Sequence, residues 1–366
     1  MTLFRNYWSV MKKHMIRNTI FLSAALLLLA GCAMGPRAQS IPGIGTDGEA
    51  IYTAYMQHVY KVDPKTGNEL WRYPAEGSVQ VVMYAPPLVA GDFVYFGDLA
   101  KRLVKLDAQT GQEIWTWQQA KGWYQAQVAL ANDLIIAPNT DGNVYAVSTD
   151  GQLVWTYRGE FGFIAAPVVV DDHVIIASQD HQLISLNLSD GAVSWALPMK
   201  GALVAAPLFD SNSGLLFAGS LGKDFVAVDA KTGELKWQFT EVEDVSSVWA
   251  TPILIQDQLI FTDESGFVYS VQPETGKLNW KIGAGGSMLA GPLALEDSFV
   301  LALEDGTIKA YDLNQSPIWT QKVEGELYGA PVLAGDVIVV GAIQQANVLY
   351  AFDLKGNPLW SFVPEN

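Results

Sequence analysis

Short apolar runs separated by glycine and aspartate turns recur along the chain from residue 44 onward. In one unit, apolar runs at 87–90, 93–96 and 103–106 and a last run at 113–117 are divided by turns such as Gly91-Asp92. Runs of this kind, bounded by turn residues, are typical of β-strands in an antiparallel meander. These stretches lack the helical spacing of apolar positions. The pattern therefore predicts an all-β fold with four short strands in each unit.

Eight tryptophans mark the repeat. They lie 39 to 44 residues apart, and the residues before them recur as well: 106–115 is Leu-Asp-Ala-Gln-Thr-Gly-Gln-Glu-Ile-Trp, and 228–237 is Val-Asp-Ala-Lys-Thr-Gly-Glu-Leu-Lys-Trp. A small residue and a proline, as in Ala166-Pro167, precede most units. Four strands in about 42 residues is the size of one propeller blade. We predict a single eight-bladed β-propeller of four-stranded antiparallel blades over residues 44–366, with one tryptophan on each fourth strand. The eight tryptophans are Trp71, Trp115, Trp155, Trp195, Trp237, Trp280, Trp319 and Trp360.

The N-terminus has the features of a lipoprotein export signal. Basic residues such as Lys12 and Arg17 precede an apolar run at 20–30, which is shorter than the roughly 20 residues that a transmembrane helix needs. The run ends in Leu29-Ala30-Gly31-Cys32, which matches the lipobox of bacterial lipoproteins. There the cysteine thiol receives a diacylglycerol and becomes the first residue of the mature protein. We therefore expect a signal peptide at 1–31.

Cys32 is the only cysteine of the chain. A lone free thiol would be a liability in an oxidising compartment, and lipidation removes it. Residues 32–43 are rich in small residues and proline and predict a flexible tether. The residue after the cysteine is Ala33 and not aspartate. By the sorting rule of enteric-type bacteria, this favours the periplasmic face of the outer membrane.

Charge and composition restrict the classes of partner. The formal net charge is −16, so the phosphates of nucleic acid would be repelled and we expect no nucleic-acid partner. Half of the residues are apolar and 16% are charged, which favours an ordered fold. The four histidines are dispersed and have no zinc-ligand spacing. We expect no metal site.

The repeated residues resemble a known family. The small-Pro pair followed by Val/Leu-Asp-Ala-x-Thr-Gly-x-x-x-Trp is similar to the PQQ-like β-propeller repeat with its tryptophan-docking motif, over residues 44–363. The family contains quinoprotein dehydrogenases, which hold pyrroloquinoline quinone and calcium, and BamB-type lipoproteins of the outer-membrane β-barrel assembly machinery. The latter are small, lipidated, eight-bladed and without cofactor. The lipobox, size and repeat number favour the BamB type, so the resemblance implies no cofactor and no enzymatic activity.

Two features depart from the BamB type. BamB-type chains usually begin with an outer strand that completes the last blade, whereas this chain ends with its own, at 357–363. Their partner surface includes a basic residue before one Ala-Pro and acidic residues before a Thr-Pro. Residues 203–207 and 247–252 carry none of these charges. A related propeller with a different partner is therefore an equal alternative to the assembly factor itself.

Large apolar or aromatic residues recur just before the first strand of nearly every blade. In a propeller this point lies beside the central channel, so side chains from different blades can converge there. The structural alternative is that they plug the channel mouth or pack between blades. The functional hypothesis is a partner-binding ring with acidic loops around it. Its predicted members are Tyr84, Trp123, Tyr124, Phe163, Trp249 and Tyr328.

The leading functional hypothesis is a non-catalytic binding scaffold of the cell envelope that assists outer-membrane β-barrel assembly. Its expected partners are other envelope proteins, with the propeller a monomer inside a complex and attached to the membrane by the lipid on Cys32. The alternative is an envelope sensor or a solute- or glycan-binding lipoprotein that uses the channel. A dehydrogenase dependent on pyrroloquinoline quinone is the third and weakest hypothesis, because such enzymes are much longer.

Acylation of Cys32 is directly testable. Mass spectrometry of the protein extracted from membranes should show a lipid mass on an N-terminal peptide that begins at Cys32. Cys32→Ala should abolish that mass and release the protein from the membrane fraction. A soluble wild-type product that retains residues before Cys32 would contradict the prediction.

Overall fold

The computed structural model describes residues 40–78 and 80–364, and all regular secondary structure there consists of 32 strands. Within these ranges, no helix is long and apolar enough to cross a membrane. The predicted signal peptide, Cys32 and most of the predicted tether lie outside the described residues. The strands form eight separate four-stranded sheets in which each strand pairs with its neighbour in sequence.

The four strands of each sheet run from the central channel outward, and they make up one blade. Blades 1 to 4 comprise β1 (Gly43–Thr46), β2 (Ile51–Tyr55), β3 (His58–Val62) and β4 (Glu69–Tyr73); β5 (Leu88–Ala90), β6 (Phe93–Gly97), β7 (Leu103–Asp107) and β8 (Glu113–Trp117); β9 (Ala129–Ala131), β10 (Leu134–Pro138), β11 (Asn143–Ser148) and β12 (Leu153–Arg158); and β13 (Val168–Val170), β14 (His173–Ala177), β15 (Gln182–Asn187) and β16 (Val193–Pro198).

Blades 5 to 8 repeat this arrangement. They comprise β17 (Leu208–Asp210), β18 (Leu215–Gly219), β19 (Phe225–Asp229) and β20 (Leu235–Gln238); β21 (Ile253–Ile255), β22 (Gln258–Thr262), β23 (Phe267–Val271) and β24 (Leu278–Gly283); β25 (Leu293–Ala294), β26 (Ser298–Ala302), β27 (Thr307–Asp312) and β28 (Pro317–Lys322); and β29 (Val332–Ala334), β30 (Val337–Gly341), β31 (Leu349–Asp353) and β32 (Pro358–Phe362). The predicted all-β fold of eight four-stranded antiparallel blades is confirmed.

The ring closes without exchange of strands. The last strand, β32, pairs with β31 of its own blade, and β1 pairs with β2. Blades 8 and 1 meet through apolar side chains, among them Val339 and Phe362 of blade 8 and Ile51 of blade 1. On the other side of blade 1, Ser40 is buried, and its hydroxyl donates a hydrogen bond to the carbonyl of Met83, just before blade 2. Ser40 is therefore part of the packed structure, although it lies inside the segment that the sequence predicts to be a tether.

A tryptophan on each fourth strand connects its blade to the next one. In seven of the eight blades the indole Nε1–H donates to a backbone carbonyl in the β3–β4-type turn of the following blade, at 2.8 to 3.2 Å. Trp360 of the last blade donates to the carbonyl of Pro64 in the first, 296 positions away, which completes the circle. Only Trp155 is fully buried, and the others are half-buried, because the fourth strand lies at the outer edge of the sheet.

The docked ring lies directly on the glycine of the Thr-Gly turn. A Cβ built at Gly276 would lie 2.6 Å from the ring of Trp237, and at the other six glycines it would lie 2.5 to 3.3 Å from the docked ring. Gly276 also has a φ of +69°, a conformation that glycine adopts without the steric cost of a side chain. The repeated glycine is therefore required both by the turn and by the tryptophan of the preceding blade.

The boundary between blades 6 and 7 departs from this rule. Gln315 takes the place of the turn glycine and still has a φ of +65°. Trp280 of blade 6 donates to Gln258 Oε1 in its own blade at 2.9 Å and stacks on Phe299 of blade 7, with ring centroids 5.9 Å apart. The Gln258 amide in turn donates to the Leu313 carbonyl of the blade 7 turn at 3.5 Å, so blade 6 contacts blade 7 by stacking and through this glutamine and not by a direct indole hydrogen bond.

This difference predicts unequal responses to alanine substitution in two equivalent turns. Gly276→Ala should lower the free energy of unfolding by roughly 1–3 kcal/mol, since it adds a Cβ against Trp237 at a positive φ. Gln315→Ala keeps a Cβ that the structure already accommodates and should change stability by less than about 0.5 kcal/mol. Urea unfolding of both variants measures the difference. Equal losses would contradict the docking geometry.

The turn aspartates provide a second, pH-dependent contribution. Hydrogen bonds from the side chains of Thr110 and Thr232 lower the pKa values of Asp107 and Asp229, and a backbone N–H of Thr66 does the same for Asp63. A carboxyl whose pKa is lower in the folded chain binds more protons when unfolded. Its contribution to stability is therefore present above about pH 4 and is lost as the pH falls further.

Replacing Asp63, Asp107 and Asp229 together by asparagine should accordingly weaken the loss of stability between about pH 5 and pH 3. Thermal unfolding across that range measures the effect. Asp92→Asn with Asp133→Asn is the control, because both side chains are exposed and neither carboxylate accepts a turn hydrogen bond of this kind in the described part of the chain. A pH profile identical to that of the parent chain would refute the assignment.

Candidate functional site

The central channel is an open cavity of about 540 Å³ lined by all eight blades. Its wall contains two successive rings of side chains. The first ring takes one residue from each blade, just before the innermost strand. Smaller residues two positions further on form the second ring and include Gly43, Ala206 and Gly291. The first ring consists of Ile41, Tyr84, Gln125, Ile164, Val204, Trp249, Leu289 and Tyr328. The wall is thus mostly apolar, with three aromatic side chains.

The residue immediately before each member of this ring is turned away from the channel. Met83, Leu203 and Met288 are examples, and every residue at this position in blades 2 to 8 is at most 1% exposed. The backbone is extended here, so successive side chains point in opposite directions. One set faces the channel, and the other fills the space between neighbouring blades.

This alternation corrects two of the six predicted binding residues. Tyr124 and Phe163 are 0% exposed and belong to the cores between blades, where Phe163 packs beside Tyr157 with ring centroids 6.1 Å apart. They cannot contact a partner at the channel mouth. Their neighbours Gln125 and Ile164 line the channel instead. The sequence analysis missed these two because it selected large aromatic residues and did not follow the phase of the strand.

The other four predicted residues divide into two groups. Tyr84, Trp249 and Tyr328 line the channel together, as predicted. Trp123 is not a channel residue: half of its side chain is exposed, on the connection between blades 2 and 3. Of the predicted ring, three aromatic residues therefore line the channel and one lies on the surrounding loop face, which the β2–β3-type loops and the connections between blades form.

Glutamates hold two of the channel aromatics. Trp249 Nε1 donates to Glu264 Oε2 at 2.7 Å, and the hydroxyl of Tyr328 lies 2.8 Å from Glu326 Oε2 and 3.0 Å from Glu304 Oε1. These interactions with Glu326 and Glu304, together with partial burial, raise the pKa of Tyr328 above its ordinary value. The phenol stays protonated near neutral pH. The Trp249 indole and the Tyr328 phenol are thus neutral donors that already have partners.

Several of the acids on this loop face brace the loops and do not face the channel. Asp98 is buried and paired with Arg102 at 2.7 Å, and burial raises the pKa of its carboxyl. Asp263 accepts from the hydroxyl of Tyr269 at 2.8 Å. Glu326, which sequence analysis did not select, contacts the channel aromatic Tyr328. Among the residues that the structure describes, no three His, Cys, Asp or Glu side chains are grouped so that they could hold a metal ion.

The model of one protein family matches nearly the whole chain. The model described as "Outer membrane protein assembly factor BamB" matches residues 28–161, 141–287 and 266–366. The three overlapping matches reflect the internal repeat. Together they include the channel residues of all blades and the tryptophan of every fourth strand.

Curated relatives match only over short segments. The quinoprotein alcohol dehydrogenase PedH of Pseudomonas putida is 31% identical over 85 residues, which is 22% of this chain and 14% of that protein. A quinoprotein ethanol dehydrogenase of Pseudomonas aeruginosa is 29% identical over 113 residues, or 30% of this chain and 18% of that protein. The chain thus spans less than a fifth of the length of these relatives, and the likeness extends over two or three blades.

Two solved structures share the fold over most of the chain. BamB from Moraxella catarrhalis has a TM-score of 0.69 at 18% identity and covers 86% of this chain and 93% of its own. The computationally designed protein Ika8 has a TM-score of 0.72 at 17% identity, over 89% of this chain and 98% of its own. These likenesses concern the fold, whereas the family model matches the sequence itself across the repeats. The chain therefore belongs to the PQQ-like repeat propeller family of the outer membrane protein assembly factor BamB.

Proposed function

We propose that the protein is a non-catalytic scaffold of the cell envelope that binds a partner protein at the mouth of its channel and assists assembly of outer-membrane β-barrel proteins. The observation that carries the proposal is the family match over nearly the entire chain, combined with a channel whose wall is apolar and aromatic. Membership in the BamB family supports a role in outer-membrane protein assembly. The channel supplies a surface on which binding can occur.

The geometry of the mouth supports recognition of a protein segment. Tyr84, Trp249 and Tyr328 come from blades 2, 6 and 8 and line one cavity. Glutamate hydrogen bonds fix the orientation of two of them. Rigid aromatic side chains bury large areas at little entropic cost, which makes such residues the usual centres of protein interfaces.

The same geometry offers little to catalysis. The Tyr328 phenol is held protonated by its glutamate neighbours, so it is a poor general base near neutral pH. The other polar groups of the first ring are the Gln125 amide, the Tyr84 hydroxyl and the Trp249 indole N–H, and each is neutral. The dehydrogenases with local similarity match two or three blades only. We therefore assign the channel to binding.

Attachment to the membrane completes the proposal. The lipobox at Leu29–Cys32 would place a lipid a few residues before Ser40, which is packed in the propeller. A tether of this length keeps the propeller within reach of the membrane surface. We propose the periplasmic face of the outer membrane as its location, with a monomeric propeller inside a larger complex.

The channel aromatics provide the test. Trp249→Ala combined with Tyr328→Ala should abolish crosslinking of the protein to outer-membrane assembly components in membranes of the native organism, because both rings are removed from one surface. A photoreactive amino acid at Tyr84 gives the readout, with its crosslinked partners identified by mass spectrometry. The free energy of unfolding of the double variant should fall by less than that of the Gly276→Ala variant.

Phe267→Ala is the matched control, since this ring is 37% exposed on blade 6 and does not line the channel. It should leave the crosslinks intact. If the double variant keeps its crosslinks but unfolds more easily, the aromatics are a plug. If a small molecule or glycan is retained in the channel of the purified protein and no protein is crosslinked, the solute-binding alternative replaces the scaffold.

A further inference from the structure

Trp123 and Phe161 are two exposed aromatic residues outside the channel. Trp123 is 50% exposed and Phe161 59%, the largest fractions for any tryptophan or phenylalanine in the described ranges. They lie on consecutive connections, from blade 2 to 3 and from blade 3 to 4. In the four connections that follow, the two equivalent positions hold only Gly, Ala, Ser or Glu, so the repeat itself does not demand large apolar residues here.

Both connections are anchored on the same loop, which joins β10 to β11. The Trp123 N–H donates to Thr140 Oγ1 at 2.7 Å, and the Thr140 N–H donates back to the Trp123 carbonyl at 3.0 Å. On the other side, Gly159 N–H donates to the Gly142 carbonyl at 2.8 Å, and Gly162 approaches so closely that a Cβ there would lie 2.9 Å from the Thr140 carbonyl. The backbone that carries the two rings is therefore fixed before any partner binds.

The charges around this pair differ from those of the rest of the chain. On the face formed by the β2–β3-type loops of blades 2 to 4 and the connections that follow these blades, four cations are exposed, namely Lys101, Lys121, Arg158 and Lys200, against one exposed acid, Glu160. Nearby Asp141 already accepts from Tyr145 Oη at 2.7 Å and from the Lys121 N–H at 2.8 Å. In a chain of net charge −16, such a basic surface with exposed aromatic rings is unusual.

On the opposite side of the same face, the connections and loops of blades 5 to 8 are acidic. Glu241, Glu243 and Glu324 are exposed there, in addition to Glu264 and Glu326 at the channel. The loop face is thus divided into a basic aromatic part and an acidic part. Complementary charge selects the partner and orients it, while the apolar rings supply the buried area.

We propose that Trp123, Phe161 and the cations around them are a second protein-docking surface, whose occupant is an acidic polypeptide segment with apolar side chains between its carboxylates. Such a segment places its apolar groups on the two rings and its carboxylates beside Lys121 and Lys200. This surface lies outside the channel, so it does not depend on the role proposed for the channel residues.

A labelled peptide in which glutamate alternates with leucine is the probe. Fluorescence anisotropy with the full chain should show binding that weakens as salt is added. Trp123→Ser with Phe161→Ser should weaken it at least about tenfold, the loss typical of removing two central aromatic residues. Lys121→Glu with Lys200→Glu should weaken it similarly and reduce its dependence on salt.

The control removes equally exposed apolar side chains elsewhere. Ile318→Ser with Leu359→Ser, on the outer strands of blades 7 and 8, should leave the affinity unchanged. Circular dichroism and urea unfolding establish that all variants are folded. The proposal is overturned if the aromatic double variant binds the peptide as the parent does, or if a lysine–leucine peptide binds equally well. It is also overturned if these substitutions abolish binding to phosphatidylglycerol vesicles and leave peptide binding intact, since the surface would then recognise lipid.

Discussion

The ring depends on one contact repeated between neighbouring blades: an indole that lies on the next blade's turn glycine and donates its N–H to a carbonyl of that turn. Each sheet is paired only within itself, so no backbone hydrogen bond of the ladders crosses between blades. Apolar packing alone does not fix the angle between two sheets, because it is not directional. The indole hydrogen bond is directional, and it fixes the contact near the outer edge.

Closure of the ring follows from the same contact. Trp360 reaches the turn at Pro64 in the way that other tryptophans reach their neighbours, so the first and last blades meet at a boundary like the others. Strand exchange is therefore unnecessary to join the ends of the chain. The boundary between blades 6 and 7 is the exception, because Gln315 replaces the glycine and Trp280 bonds inside its own blade.

A closed ring determines what the inner strands present. Eight blades bring one side chain each to the first ring of the channel, and the alternation along an extended backbone sends the preceding side chain into the space between blades. The connections that lead to these strands lie on one face with the β2–β3-type loops. The channel mouth and the surface around Trp123 therefore share that face but are built from different positions of the repeat.

The amino-acid sequence alone determined the number of blades, the four strands in each and the place of every docking tryptophan, because these follow from local turn residues and a period that recurs eight times. It also placed Tyr84, Trp249 and Tyr328 beside the channel. Only the tertiary structure decided that Tyr124 and Phe163 are buried between blades and that Trp123 lies outside the channel. The physical reason is that a shift of one residue along an extended strand reverses the direction of the side chain. Composition and spacing show that an aromatic residue is near the channel. The phase of the extended backbone, which the hydrogen bonds of the neighbouring loops hold in place, decides which way its side chain points.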